Sequence, residues 1–140
     1  MRLLALDVGE RRIGVALSDP LGITAQRLTV LERKDRAQDI EAILRLVKQH
    51  KVEELVVGLP LTMRGEKGAQ AQKVLAFAQE LRRQVGVPVE LLDERLTTVQ
   101  GTRALIETGT SRRARKQVID QVAAQLILQQ FLDTKRKDII

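Results

Sequence analysis

Two short apolar runs open the chain, residues 3–8 (Leu-Leu-Ala-Leu-Asp-Val) and 13–18 (Ile-Gly-Val-Ala-Leu-Ser), separated by Gly9-Glu10-Arg11-Arg12. Runs of this length bounded by turn residues read as buried strands, and the four-residue connection reads as a hairpin. Asp19-Pro20-Leu21-Gly22 is a turn signal, and residues 23–31 supply a third strand. The period then changes from strand to helix. Behind Asp35, a candidate N-cap, Ile40, Ile43, Leu44 and Val47 recur on one helical face up to His50. Residues 52–58 form a fourth apolar run ending at Gly58-Leu59-Pro60, and 61–68, with Gly65 and Gly68, reads as a flexible loop. Ala71, Val74, Leu75, Ala78 and Leu81 make the stripe of a second helix, stopped by Gly86-Val87-Pro88. Residues 89–92 are a fifth strand running into Asp93-Glu94-Arg95. A helix over 97–108 with Gly109 as its C-cap, a basic loop, a last helix over 116–132 and a frayed tail over 135–140 complete the expectation.

Three antiparallel strands followed by strands alternating with helices specify an α/β fold: a mixed five-stranded sheet with helices on both faces. Its 140 residues suit one domain, 1–140, without internal repeat or linker. The ends of the parallel strands should share one rim, and in open sheets of this kind ligands bind outside those carboxyl ends.

Composition narrows the chemistry. No apolar run approaches a membrane span, and Asp7 interrupts the first one too early for a signal peptide. No cysteine is present, which excludes disulfides and cysteine zinc sites, and a cytoplasmic location is the default expectation. The net charge of +6 points to an acidic partner, nucleic acid first. Phe77 and Phe131 are the only aromatics, so recognition should run through phosphates and groove shape rather than base stacking. The lone His50 argues against a zinc centre and against two-histidine ribonuclease chemistry.

The acidic residues fall where that topology puts a ligand. Asp7 closes the first strand among buried residues, and an uncompensated carboxylate there is costly. Either an arginine (Arg11 or Arg12) or a metal ion should neutralise it. Asp93 and Glu94 end the fifth strand on the same rim, and which of the two points inward is open. Asp120 borders a stripe formed by Val118, Ile119, Val122, Ala123, Leu126 and Ile127, where Ala123 and Ala124 would let the last helix approach the sheet closely. For both Glu94 and Asp120 the alternative is a rim ion pair with Arg95 or an arginine of the basic loop. Carboxylates from three distant segments suit two magnesium or manganese ions about 4 Å apart. The segment Ser111-Arg112-Arg113-Ala114-Arg115-Lys116, with Arg11, Arg12 and Arg95 at the rim, could hold a phosphate backbone.

Asp7-Val8-Gly9 through Arg12-Ile13-Gly14-Val15-Ala16 and Ser18-Asp19 resemble the opening motif of the YqgF/RuvX family. Gly58-Leu59-Pro60-Leu61, Asp93-Glu94-Arg95-Leu96-Thr97-Thr98 and Ile119-Asp120 through Ala123-Ala124 to Ile127-Leu128 resemble its later blocks, in family order. The resemblance implies an RNase H-like, RuvC-related fold and a metal-dependent nuclease with Asp7, Glu94 and Asp120 as catalytic and metal-binding acids. It implies trimming of the 5′ end of pre-16S rRNA, with Holliday junction resolution on branched DNA as the alternative activity. A non-catalytic RNA-binding assembly factor is the alternative of another class, and a monomer and a homodimer are both compatible with the sequence. A phosphate-binding ATPase or sugar-kinase domain is disfavoured, because that fold normally needs a second lobe for which this chain has no room.

Overall fold

The computed structural model describes residues 1–96 and 112–139, with side chains described for 1–95 and 118–135. Strands β1 (Leu3–Val8), β2 (Arg12–Ser18), β3 (Ala25–Glu32), β4 (Glu54–Leu59) and β5 (Val89–Asp93) form one sheet in the order β3-β2-β1-β4-β5. β1–β2 and β2–β3 pair antiparallel, and β1–β4 and β4–β5 pair parallel. This is the mixed sheet expected from the pattern. β1, β4 and β5 therefore end on one rim, which carries Asp7.

Every residue of β1 and β4 is buried, because both sheet faces are covered. On one face Leu4, Leu6 and Val8 pack against Ile40 and Ile43 of helix α1 (Arg36–Gln49) and Val74, Phe77 and Leu81 of α2 (Ala69–Val85). On the other, Leu3, Ala5, Ala16, Val56 and Leu92 meet Ala123, Ala124, Ile127, Leu128 and Leu132 of the last helix, α3 (Arg112–Ile139). Asp35 caps α1 by accepting from Gln38 N at 2.8 Å, and Gly86, at φ 72°, closes α2 in the left-handed conformation.

Several boundaries differ from the sequence reading, each for a local reason. β3 begins at Ala25 rather than 23, because the Asp19 carboxylate accepts from the amides of Ile23 (2.7 Å) and Thr24 (2.8 Å) and keeps them in the turn. β4 begins at Glu54 rather than 52, because the Val52 amide returns to Val47 O at the end of α1. The loop expected to be flexible is tied: Gly65 N and Glu66 N bond to Thr62 O and Oγ1 at 2.8 and 3.0 Å.

Helix α3 differs most. It begins at Arg112 instead of 116, so Arg112, Arg113, Arg115 and Lys116 belong to its first turns and not to a loop. It also continues to Ile139 instead of ending at 132. Lys135 helps to fasten this extension, bridging Glu54 at 2.6 Å and lying over the Phe131 ring. The buried stripe is rotated from the expected one. Val118 is 38% exposed and Val122 and Leu126 are half-buried, whereas Ala124, Leu128 and Leu132 are fully covered. The expected helix over 97–108 and its cap Gly109 lie outside the described residues.

Candidate active site

Asp7 lies one residue from the end of β1 and is 5% exposed. Its side chain shares a face with Leu3 and Ala5, the face covered by α3, because strand side chains alternate. Its antiparallel partner on β2 is Gly14. On the other side, Leu6 pairs with Val57, so the next residue, Gly58, stands beside Asp7 on β4. The sheet thus drops its side chains on both flanks of one buried carboxylate.

Those two glycines decide what can approach. A methyl group on Gly14 would overlap the backbone carbonyl of Asp120, so α3 crosses the sheet in near-contact with the β2 backbone at this level. Ala123 and Ala124, both essentially inaccessible, allow that approach. A methyl group on Gly58 would stand 2.7 Å from Glu94 Oε1 and 2.5 Å from Ile127 Cδ1. Glu94, in the single 3₁₀ turn Glu94–Leu96 after β5, therefore folds back over Gly58 and is 6% exposed. The choice left open by the sequence resolves sterically: Glu94 points inward and Asp93 outward. Asp93 is chelated by Arg95, which donates from Nε and Nη2 at 3.1 and 2.7 Å and from its backbone amide at 2.9 Å. This arrangement holds the Asp93 carboxyl below its usual range, chiefly through the Arg95 side-chain hydrogen bond, and raises Arg95 in turn.

Asp120 pairs not with Arg95 but with Arg12, one of the two arginines expected beside Asp7. Arg12 Nε donates to Asp120 Oδ2 at 2.9 Å, with both side chains 21% exposed. Arg12 is thus engaged with the helix acid, and Arg95 with Asp93. Glu10 extends outward at 75% exposure and is a solvated turn residue. Side chains of Arg112, Arg113, Arg115 and Lys116 lie outside the described set. Among the described residues, no three acids or imidazoles are close enough together to form a ready-made metal site.

The donor chemistry nevertheless suits a hard divalent ion: carboxylate oxygens, two of the three side chains buried, brought to one rim on three elements. Gly14 and Gly58 let α3 and the Glu94 carboxylate come close to the strands that flank Asp7.

A family model described as "RuvX: Holliday junction resolvase" matches residues 1–134. The chain belongs to the RuvX family. A protein of Moorella thermoacetica, named as a candidate pre-16S rRNA nuclease, is 58% identical over 133 residues, 95% of each chain. A Clostridium botulinum protein of the same name is 46% identical over 137 residues, covering 98% of this chain and all of that one. Among solved structures, Thermus thermophilus RuvC bound to a Holliday junction superposes with a TM-score of 0.62 at 13% identity, covering 98% and 96% of the two chains. The fowlpox virus Holliday junction resolvase gives 0.51 at 10% identity, covering 96% and 99%. These likenesses identify the fold as RNase H-like, of the RuvC type.

Within the RuvX-like motifs the geometry separates structural residues from site residues. Ser18 Oγ accepts from Leu3 N at 2.9 Å, and Asp19 caps its own turn, accepting from three backbone amides at 2.7–3.3 Å. Those bonds pull the Asp19 carboxyl below its ordinary value, and the residue works as a turn clamp. Two contributors escaped the sequence reading. Arg33 donates through Nη1 to Gly9 O at 2.9 Å and through Nε to Asp39 at 3.1 Å, and lies 5.3 Å from the centroid of the Phe77 ring. Asp39, 4% exposed, also accepts from Lys34 N. This pair clamps the β1–β2 turn immediately beyond Asp7. The only signal was a helix-start acid preceded by an arginine, which reads as ordinary N-terminal charge complementation.

Proposed function

We propose that this protein is a divalent-metal-dependent nuclease that processes the 5′ end of pre-16S rRNA, with Asp7, Glu94 and Asp120 as its metal-holding, catalytic acids. The observation that carries the reading is the placement of Asp7 and Glu94, both buried on one sheet face, around two glycines that admit Glu94 and α3. A core builds such a cradle at a cost in packing, and burying carboxylates adds to that cost unless cations balance them. Family membership and the names of relatives at 46–58% identity support the activity and the substrate.

Magnesium or manganese, when bound, supplies Lewis acidity and an activated water for displacement at phosphorus. The chain's own part is to fix the acids: the strand end holds Asp7, the 3₁₀ turn holds Glu94, and the close crossing of α3 sets Asp120. Asp120 joins this set by giving up its bond to Arg12. Arg12 is partly exposed at the rim, and once released it is free to pair with a substrate phosphate. The cationic first turns of α3, with Arg11 and Arg95, extend the phosphate-holding surface.

Junction resolution is the second reading, favoured by the family description and disfavoured by the helix acids. Asp120 has no acidic neighbour one turn later, where Ala123 and Ala124 stand. The test incubates a pre-16S rRNA fragment and a four-way DNA junction with the protein and magnesium or manganese, beside Asp7→Asn, Glu94→Gln and Asp120→Asn. The expected result is metal-dependent cleavage of the RNA, abolished in each folded variant. Full activity in all three variants would overturn the assignment of the acids. Selective junction cleavage would shift the substrate to branched DNA, and tight RNA binding without cleavage would indicate an assembly factor.

A further inference from the structure

On the opposite face of the sheet from Asp120, an open cavity of about 330 Å³ lies against the β1–β2 turn, lined by Val8, Glu10, Arg33, Gln70, Lys73 and Val74. That volume is at the lower end of ligand sites. Val8 directly follows Asp7, so the cavity and the candidate active site adjoin across a single turn. Arg33 is fixed in the wall by Asp39, Gly9 O and the Phe77 ring, and is 24% exposed. Its hydrogen bonds use Nε and Nη1, and among the described residues none takes up Nη2. Gln70 gives its amide nitrogen to Val8 O at 3.3 Å and keeps its position beside the turn. Lys73 is 69% exposed, and its contact with the 75% exposed Glu10 is 3.9 Å long, an ion pair of negligible strength in water.

We propose that this cavity is a phosphate subsite that holds the backbone of the RNA strand flanking the cleaved bond. The preorganised guanidinium of Arg33 forms its wall and Lys73 is its mobile counter-charge. A strand leaving the acid site over Gly9 passes directly into it. Asp39 already neutralises Arg33, so a phosphate is held by the free edge of that guanidinium and by Lys73, which leaves its long, exposed contact with Glu10. Glu10 opposes binding, since it competes for Lys73 and repels phosphate. The inference rests on the nuclease reading, and binding measured apart from cleavage separates the two.

The probe is a fluorescently labelled RNA hairpin with a single-stranded extension, titrated with the Asp7→Asn protein over a range of salt concentrations. Lys73→Gln in that background should weaken binding and reduce the slope of log affinity against log salt by about 0.7–0.9, one phosphate contact. Lys73→Arg should retain the parental slope, and Glu10→Gln should tighten binding. Both positions are solvent-exposed, so their substitution should leave the fold intact. Lys48→Gln, on the exposed last turn of α1, is the control for general electrostatic attraction. The subsite is overturned if Lys73→Gln and Glu10→Gln bind as the parent does, or if Lys48→Gln reproduces the Lys73→Gln loss. If the Asp7→Asn parent binds no RNA, the nucleic-acid reading itself falls, and the subsite with it.

Discussion

Replacing Gly14 by alanine adds a single methyl group at the narrowest point between α3 and the sheet. In most strands the change would help, because glycine in a strand costs roughly 0.5–1 kcal/mol relative to alanine. Here the methyl group would overlap the Asp120 carbonyl, which is backbone and cannot rotate aside. The helix would have to lift from β2, loosening Ala123, Ala124, Ile127 and Leu128 against Ala5, Ala16 and Val56. Overpacking of this kind costs typically 1–3 kcal/mol, more where backbone must move. The steric term outweighs the propensity gain, leaving a net loss of about 1–2 kcal/mol, or roughly 3–8 °C in Tm for a domain near this size. Gly58→Ala meets a different obstacle: the ends of the Glu94 and Ile127 side chains, at 2.7 and 2.5 Å, which can turn away. It should cost less stability but expel Glu94 from its buried position, so cleavage should fall by more than tenfold while Tm changes little. Thermal unfolding of both variants, with metal-dependent cleavage measured below Tm, checks the contrast. Gly14→Ala as stable as the parent would refute the close crossing of α3, and full activity in Gly58→Ala would refute the cradle around Glu94.

Arg33→Met strands the buried Asp39 with only the Lys34 amide as a described donor and frees the Gly9 carbonyl, at an expected cost of about 2–4 kcal/mol by urea unfolding. The double variant Arg33→Met/Asp39→Leu should recover part of that loss, and no recovery would show that the clamp on Gly9, rather than the stranded carboxylate, dominates. The Asp93–Arg95 chelate has a pH signature. Because the folded-state pKa of Asp93 is depressed, its stabilisation is present above the unfolded value near 3.9 and disappears as pH falls through the lower folded value. The stabilities of the parent and Asp93→Asn should therefore differ by less than about 1 kcal/mol at pH 7, since solvent reaches both partners of the pair, and converge in strong acid. A gap that persists or widens on acidification would contradict the assignment.

The sheet was legible because apolar runs of strand length alternate with turn residues, and the order of strands and helices leaves few topologies. Asp7 was legible for the same reason, as a charge inside an apolar run. Periodicity could not choose between Asp93 and Glu94. β5 has helices above and below it, so Leu91 and Leu92 are both apolar and neither marks the α3 face. Helical periodicity alone places Val118 on the buried stripe of α3, and the structure rotates that stripe away from it. Asp120 already packs at the level of Gly14, so the helix has reached the rim there and Val118 is left exposed. Pairs distant in sequence, such as Arg12 with Asp120, leave no local pattern to read.

Acids draw attention in a sequence, but the two glycines carry more of the geometric information. Neither Gly14 nor Gly58 has a positive φ, so neither is required by a strained backbone. Each is required by what comes close to it: a helix backbone at Gly14, a carboxylate side chain at Gly58. Both stand at the level of Asp7 on the strands that flank it, and a glycine at that register marks where a neighbouring element needs the volume of a side chain. Two such vacated positions around one buried acid mark where the Asp120 backbone and the Glu94 side chain approach the sheet, without reference to the acids themselves. That is why a one-methyl change at Gly58, leaving every candidate ligand in place, is a sharper test of the site than removing a ligand outright.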